Sequence, residues 1–322
     1  MKIYQYIQNY RIQIINEPFY LSNGNELKQT AKISFTDINN NLIEKKNYGV
    51  IEVDTIYENI HSGKPIDVSQ CLIKNFSLPA YRAKYNLKAN ERIDLIDFTA
   101  ENSLFESERT VDFSLANFTG EKTNFTNTHF GSGNLSFLKA EFGDFPVSFK
   151  GTSYSEGNNN FQYARFNNGN VSFENATFEN GNLSFINTHF EKGNVSFKNV
   201  HFGNGDVSFA FAAFKEGNIV FDKSIFNGDE ISFSKVDFGS GKVDFRRVYF
   251  GDGDINFDEI NLDGDNKLIF RRSNFGSSNT SFREANLSGS VIDFEEATFK
   301  NGKLNFFKLN AQQISLVDCV LN

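Results

Sequence analysis

The chain contains few cysteines, which cross-link small folds, and few prolines, which constrain the backbone. It has no tryptophan, 1 methionine, 4 prolines and 2 cysteines in 322 residues. Cys71 and Cys319 lie near opposite ends of the chain, so they do not make a disulfide framework, and no C-x-x-C metal spacing occurs. These absences exclude the disulfide-rich secreted scaffolds and the common zinc modules, and we expect no cofactor.

Long apolar runs and a strong excess of one charge are also missing. No stretch approaches the length needed to span a bilayer, and the N-terminus lacks the apolar run of a signal peptide. We therefore expect a cytoplasmic protein without membrane association. The formal net charge of −8 is modest for this length, which disfavours a nucleic-acid partner.

Phenylalanine is abundant, with 38 residues, and its spacing is periodic. One phenylalanine recurs at every twelfth position from Phe113 to Phe257, and the series continues from Phe270 to Phe306. A second aromatic residue or leucine follows five positions after nearly every one of them. Self-similarity at a fixed short period indicates a solenoid, in which each unit contacts only its neighbours.

The repeating unit is G-N-V-S-F-E-N-A-T-F-E-N at residues 169–180. It contains two short strands, 171–173 and 176–178, whose side chains alternate between the two faces. Valine, alanine and phenylalanine then point inward, and serine and threonine point outward. The predicted structural core ladder comprises Phe173, Phe178, Phe185, Phe190, Phe197, Phe202, Phe209, Phe214 and Phe221.

A glycine followed by asparagine or aspartate recurs before each first strand, as at Gly169-Asn170 and Gly181-Asn182. Glycine tolerates positive φ and asparagine bonds its own backbone, so we expect a sharp corner at this position. A row of such residues could instead bind calcium. A stacked ladder of turns is the better interpretation, because G-D-G-D occurs only at residues 251–254.

Steric considerations predict that two units, 24 residues, form one coil with four faces. A 12-residue coil would cross between facing sheets through Glu174 and Asn175 alone, and two residues can hardly span about 10 Å. The charged residue pairs favour a 12-residue coil instead, because such a coil would stack Arg246-Arg247, Asp258-Glu259 and Arg271-Arg272 with alternating charge. A 24-residue coil places the two arginine pairs side by side, and only Glu295-Glu296 would then offset the repulsion between them.

The pattern V-S-F-E-N and A-T-F-E-N, with I-S-L-V-D at residues 314–318, resembles that of the pentapeptide-repeat proteins. This sequence departs from the family by two extra residues at every second corner across the regular units, 111–310. Unstretched five-residue steps occur at 66–105 and 304–322. The resemblance extends from residue 64 to the C-terminus and implies an all-β, right-handed quadrilateral parallel β-helix.

Residues 1–63 lie outside the repeat and alternate like short strands between turn signals. Because a solenoid end exposes core side chains and unpaired backbone groups, we expect 1–63 to form a small β cap over the first coil, preceding a repeat domain at 64–322. No comparable cap is encoded at the C-terminus. We expect either that the natural chain continues or that this uncapped coil self-associates.

Few side chains carry recognisable chemistry. The histidines, of which the last three occupy outward positions, are His61, His129, His189 and His201. We interpret them as surface residues rather than metal ligands. The acidic pairs Asp258-Glu259 and Glu295-Glu296 could imitate a glycosidase dyad, but exposed corner carboxylates are the commoner explanation. The candidate interaction surface comprises Arg246, Arg247, Arg271 and Arg272, which a neutralising charge ladder would also explain.

Three functions remain open. The first is a non-catalytic rigid solenoid that acts as a scaffold or protein-interaction module for an unidentified protein partner. The second, implied by the resemblance, is a mimic of duplex DNA that binds a DNA topoisomerase. The third is a carbohydrate-active enzyme on a β-helix, which would need a charged cleft built from inserted loops. The first is our expectation, because repeat solenoids offer surface rather than pockets.

Overall fold

The computed structural model describes residues 9–37 and 39–321, which form a parallel β-solenoid of about 11 turns. The N-terminal elements are β1 (Asn9–Ile15), β2 (Phe19–Tyr20), β3 (Glu26–Leu27), β4 (Thr30–Thr36), β5 (Leu42–Ile51) and α1 (Val53–His61). The first coils contain β6 (Cys71–Lys74), α2 (Leu78–Lys84), β7 (Ile93–Ile96), β8 (Leu104–Glu106), β9 (Thr110–Asp112) and β10 (Ala116–Thr119).

The regular coils are built from very short strands, most of them two or three residues long. In chain order they are β11 (Thr123–Asn124), β12 (His129–Phe130), β13 (Asn134–Ser136), β14 (Glu141–Phe142), β15 (Val147–Ser148), β16 (Ser153–Tyr154), β17 (Asn159–Asn160), β18 (Arg165–Phe166), β19 (Val171–Ser172), β20 (Thr177–Phe178), β21 (Leu183–Ser184), β22 (His189–Phe190), β23 (Val195–Ser196), β24 (Val207–Ser208), β25 (Ala213–Phe214), β26 (Ile219–Val220), β27 (Glu230–Ser232), β28 (Val243–Asp244), β29 (Asp254–Asn256), β30 (Lys267–Ile269), β31 (Thr280–Ser281), β32 (Asn286–Asp293), β33 (Thr298–Phe299), β34 (Leu304–Asn305), β35 (Asn310–Ser315) and β36 (Val320–Leu321).

These strands form four walls. Following one coil, β17 lies in wall 1, β18 in wall 2, β19 in wall 3 and β20 in wall 4. Each strand pairs in parallel with the strand about 24 residues away, as β15 with β19 and β19 with β23. The predicted four-faced coil of about 24 residues is therefore confirmed, and 12-residue stacking is excluded.

The two corners without inserted residues, between walls 1 and 2 and between walls 3 and 4, are tight turns. At residues 173–176 the amide of Ala176 donates to the carbonyl of Phe173 at 3.0 Å, and Asn175 has a φ of +60°. The left-handed conformation recurs at this position in successive coils, mostly in residues other than glycine. At the glycine corners positive φ occurs at Gly193 and Gly217 but not at Gly169 or Gly181, so the expectation for these corners holds only in part.

The glycine corners, between walls 2 and 3 and between walls 4 and 1, need glycine for a different reason. A Cβ on Gly181 would lie 2.0 Å from the carbonyl oxygen of Gly157 in the preceding coil. The asparagine that follows also acts between coils, because Asn158 Oδ1 accepts from the amide of Asn182 at 2.9 Å. Close approach of stacked coils, rather than positive φ, explains this glycine.

The interior is filled by columns of stacked rings. Phe197 stacks on Phe173 at 5.0 Å between ring centroids, with an interplanar angle of 9°, and on Phe221 at 4.8 Å. The neighbouring column meets it edge to face, as for Phe197 and Phe209 at 5.3 Å and 83°. Both geometries are favourable for aromatic quadrupoles, so successive coils are held in register by their side chains as well as by backbone hydrogen bonds.

The N-terminal segment covers the solenoid in two ways. Helix α1 places Ile56, Tyr57 and Ile60 in the main core at the first coil. Strands β1, β4 and β5 extend the sheet of wall 4 and fold over its outer face, where Leu72 and Leu104 pack in a second, small core. The expected β cap is present, and it shields a wall as well as an end.

One predicted coil segment has a different structure. Tyr81-Arg82-Ala83 was expected to be an unstretched five-residue step, but it lies in helix α2. Ser77 caps this helix by accepting from the amide of Ala80 at 3.4 Å, and a proline occupies its first turn, which suits a helix start and removes a strand donor. The proposed domain boundary at residue 63 stays a prediction.

Candidate functional site

The residues predicted to form the core ladder lie inside the tube. Phe173, Phe178, Phe185, Phe190, Phe197, Phe202, Phe209, Phe214 and Phe221 are all at most 3% exposed. Their rings stack from coil to coil, as for Phe190 and Phe214 at 4.6 Å and 1°. They therefore build the solenoid and contribute nothing to its outer surface.

The four candidate arginines do come together, at the corner between walls 3 and 4. Arg246, Arg247, Arg271 and Arg272 line a shallow cavity of about 220 Å³ with Glu295 and Glu296. We call this cluster the arginine corner. The amide of Arg247 donates to the carbonyl of Arg271 at 3.0 Å, so the two pairs occupy adjacent coils.

Carboxylates from the same and adjacent coils neutralise the arginine corner. Arg247 contacts Asp222 through two hydrogen bonds of 2.8 and 2.6 Å, and Arg246 forms a similar fork with Asp244. Arg271 binds Asp293 at 2.6 Å. The expectation that only Glu295-Glu296 would relieve these arginines was therefore wrong.

The missed carboxylates are nearly buried. Asp244 and Asp293 occupy the outward slot of wall 3 that is usually serine, two residues before Arg246 and Glu295 respectively, which was a readable signal. Burial opposes the ionisation of Asp244, but hydrogen bonds from Arg246 outweigh it, so its pKa lies below the ordinary value. The arginine corner is a built, neutralised surface rather than an open anion site.

An acidic strip follows the corner between walls 4 and 1, on the two coils that carry the arginines of the arginine corner and on the coil before them. Asp206, Glu230 and Asp254 stack in successive coils beside a depression of about 500 Å³. Within residues 9–37 and 39–321 no cation pairs with any of these three carboxylates. The acidic strip is therefore not neutralised by its own coils, unlike the arginine corner.

The same corner shows why the Gly-Asn/Asp row is structural. Asn134 accepts from the amide of Asn158, which accepts from that of Asn182, each at 2.9 Å. Asn182 in turn accepts from the amide of Asp206 at 2.9 Å. These side-chain oxygens satisfy backbone donors of the next coil, so they hold the solenoid together. Nowhere in the described residues do three potential ligands gather for a metal ion.

The structure contradicts the surface assignment of His129. This side chain is 4% exposed and lies beneath the N-terminal sheet, edge-on to the rings of Tyr10 and Phe35 at 5.2 Å. Its Nδ1 is 2.5 Å from Ser153 Oγ. Burial, reinforced by the charge of Lys46, lowers its pKa to about 3. The outward leucines of β6 and β8 were the signal that this wall is covered.

The other histidines do not assemble either. His61 is exposed and stacks on Tyr85 with ring centroids 4.1 Å apart. His189 lies half-buried on wall 2 and His201 on wall 4, and burial lowers the pKa of His201. The two are on different walls of the tube, as the 24-residue coil predicts.

The acidic pairs have separate positions and separate partners. Asp258 contacts Arg283 at 3.3 Å and Glu259 contacts Lys235 at 3.5 Å, both near the corner between walls 1 and 2. Glu295 and Glu296 belong to the arginine corner instead. The pairs therefore do not form one site, and the carboxylates of each pair already face cations.

A groove of about 740 Å³, which sequence reasoning missed, lies between the turn that joins β2 to β3 and the solenoid surface. Several of its polar groups bond one another. Ser22 donates to Gln70 at 2.8 Å, and Thr99 donates to Asp67 at 3.0 Å. The first contact fastens the N-terminal segment to the first coil, and the second joins two neighbouring coils.

The uncapped end and the thiols complete the predicted features. The last described coil exposes Phe307, Val317 and Leu321, each by more than half, and its self-association stays a prediction. Burial raises the pKa of the Cys71 thiol to about 12, so this cysteine is unreactive. Across the described residues no helix has the length and apolar character needed to cross a membrane.

The fold places the chain among the parallel β-solenoid repeat proteins. Comparison with known proteins found no matching family model, no matching curated protein and no matching solved structure. The similarity to the pentapeptide-repeat proteins therefore depends on the residue pattern and on the four-walled coil.

Proposed function

We propose that the protein is a stretched variant of the pentapeptide-repeat solenoids and that it works as a non-catalytic, rigid scaffold for a protein partner. The observation that supports this most directly is the ring packing of the interior, in which a phenylalanine of the central columns such as Phe197 contacts rings above, below and beside it. Such packing resists bending and holds outward side chains at fixed positions along flat walls.

The surface chemistry supports the same proposal. The arginine corner carries its own carboxylates, and the asparagine rows bond backbone amides of the next coil. Side chains that are already held in ion pairs and hydrogen bonds give the surface a fixed shape and are not available as catalytic groups. A partner would then recognise the shape and polarity of one wall.

A wall-by-wall scan tests the proposal. The outward residues of one coil, Thr177 on wall 4, Ser184 on wall 1, His189 on wall 2 and Ser196 on wall 3, are each replaced by arginine in a tagged chain. We expect one stoichiometric protein partner to be recovered from the source cells by the unmodified chain and by three variants. The fourth variant should lose the partner while its melting temperature stays unchanged.

The scaffold proposal fails if no stoichiometric protein is recovered, or if all four variants recover it equally. The four substitutions serve as controls for one another, because each adds the same side chain to an outward position at the same height of the rod.

A second candidate, a mimic of duplex DNA that binds a topoisomerase, draws support from the acidic strip of Asp206, Glu230 and Asp254. Inhibition of DNA supercoiling by a purified topoisomerase tests it. The matched control is the triple variant Asp206→Asn, Glu230→Gln, Asp254→Asn, because asparagine already occupies this position in earlier coils. Inhibition that the triple variant retains, or no inhibition at all, excludes the mimic.

A further inference from the structure

The corner between walls 1 and 2 carries residues that the backbone there does not favour. The left-handed position of this corner is occupied in successive coils by Leu115, Lys139, Tyr163, Asn187, Phe211 and Lys235, with φ between 54° and 60°. In the first four of these coils the diagonally opposite corner carries residues that adopt this conformation easily, Asn127, Gly151, Asn175 and Asn199, and in the last two it carries Lys223 and Arg247. Bulky side chains in this conformation cost free energy, and such cost tends to persist where a surface has a role.

Two of these residues also expose large apolar side chains to solvent. Tyr163 is 49% exposed and Phe211 is 51% exposed, so the corner presents two aromatic rings to solvent two coils apart. Neither ring gains packing in the core. Tyrosine and phenylalanine are enriched at binding surfaces relative to the rest of the protein surface.

Lysines fix which ring faces remain open. Lys139, one coil before Tyr163, places its Nζ 5.9 Å from the centre of that ring. Lys235, one coil after Phe211, places its Nζ 5.4 Å from the centre of the phenyl ring. Lys139 covers the face of Tyr163 that points away from Phe211, and Lys235 covers the face of Phe211 that points away from Tyr163. The uncovered faces of the two rings therefore point toward the coil of Asn187, which lies between them.

Asn187 supplies hydrogen-bonding groups at the centre of this gap. Its backbone amide donates to the carbonyl of Ala210 at 3.1 Å, whereas its carboxamide bonds to no other residue in the part of the chain that the structure describes. One free donor and one free acceptor therefore lie between two open aromatic faces. We call Tyr163, Asn187 and Phe211 the aromatic gap.

The charge around the aromatic gap excludes a strongly ionic ligand. The outward residues of the adjoining wall 1 in these coils, Asn160, Ser184 and Ser208, are uncharged. Lys235 is held by Glu259 at 3.5 Å, whereas Lys139 has no acidic partner in the part of the chain that the structure describes. A single unpaired lysine is too little positive charge for a run of phosphates. A ligand that fits is neutral, has apolar faces for the rings and hydroxyl groups for the amides.

We propose that the aromatic gap binds a neutral pyranose sugar, as one unit of a linear polysaccharide that crosses the corner between walls 1 and 2, so that the two faces of the sugar ring are turned toward the two aromatic rings. The C–H faces of a pyranose stack on aromatic rings, and its hydroxyls match the carboxamide of Asn187 and the serines of the wall. This inference concerns a surface that the scaffold proposal does not assign, and it holds or fails independently.

Binding of defined glycans tests the proposal. Cellopentaose, laminaripentaose and xylopentaose are titrated into the full chain by calorimetry, and retention on insoluble cellulose and chitin is measured in parallel. We expect at least one neutral β-linked glycan to bind. The double variant Tyr163→Asn, Phe211→Asn should bind it at least about tenfold more weakly, since each ring contributes a stacking contact.

The variant keeps the fold, because asparagine already occupies this position at Asn187, and an unchanged or higher melting temperature checks this. Tyr249→Asn, which removes an exposed tyrosine from wall 4, is the matched control and should bind like the unmodified chain. Absence of binding to every neutral glycan, equal weakening by the control, or binding only to single-stranded oligonucleotides or to polygalacturonate overturns the proposal.

Discussion

Replacing Phe197 by alanine empties one position of a central ring column. The side chain is fully buried and lies between Phe173 at 5.0 Å and Phe221 at 4.8 Å, with Phe209 edge-on at 5.3 Å. No other side chain can move into the space, because the neighbouring rings are held at their own heights by backbone pairing between coils. The variant therefore loses apolar burial and leaves a cavity.

The expected loss is about 3–5 kcal/mol in the free energy of unfolding, the range for phenylalanine-to-alanine changes in rigid cores. The upper part of this range applies here, because five aromatic contacts disappear together and each favourable ring pair is worth about 0.5–1.5 kcal/mol beyond area burial. In a repeat array the loss falls on the interfaces of one coil with its two neighbours.

Phe211→Ala is the matched control, since it removes the same atoms from a ring that is 51% exposed. Urea unfolding followed by circular dichroism should give a change below about 1 kcal/mol for this variant, as for most surface substitutions. Equal losses for the two variants, or a larger loss for Phe211→Ala, would refute the assignment of the ring columns as the main source of stability.

Three further predictions concern the corners and the covered wall. Arg247→Ala should cost about 1 kcal/mol in urea unfolding, because the nearly buried Asp222 loses its two hydrogen bonds, and no loss would contradict the pairing. His129 has a folded pKa of about 3 against 6.5 ordinarily, so the unfolded chain binds its proton first and stability falls as the pH drops from 6.5 toward 3. The slope of melting temperature against pH should be shallower for His129→Gln, and identical slopes would contradict burial. Gly181→Ala should cost about 1–3 kcal/mol in thermal unfolding, because its Cβ would lie 2.0 Å from the carbonyl of Gly157, and a neutral change would contradict close stacking.

The solenoid itself was predictable because its cause is local and repeated. The alternation at 171–173 decides which side chains face inward, and a two-residue link such as Glu174-Asn175 is long enough for a corner and too short for a crossing. Those constraints recur in each unit, so they predict four walls and a 24-residue coil. The charge pattern, which favoured 12-residue stacking, misled because exposed ion pairs are weak constraints on a backbone.

Features that depend on contacts between coils were harder to predict. Gly181 is needed because a carbonyl of the preceding coil lies where its side chain would be, and no local property of the sequence reveals that carbonyl. Asp222 reaches Arg247 from 25 residues away. Ser77 and the proline after Leu78 were a readable helix start that the five-residue period obscured.

Periodic alternation of apolar and polar residues was sufficient by itself to determine the stacked tube and its phenylalanine interior, because each unit meets only copies of its own pattern. Tertiary structure alone decided which outward-pointing residues are exposed to solvent and which are covered by another segment. His129 and Leu104 occupy the same wall positions as exposed residues of later coils, yet a sheet from the N-terminus covers them. Tyr163 and Phe211 point outward from the corner between walls 1 and 2, and no other segment among the described residues covers them. The difference arises from the placement of a non-repeating segment, which a repeat pattern does not encode.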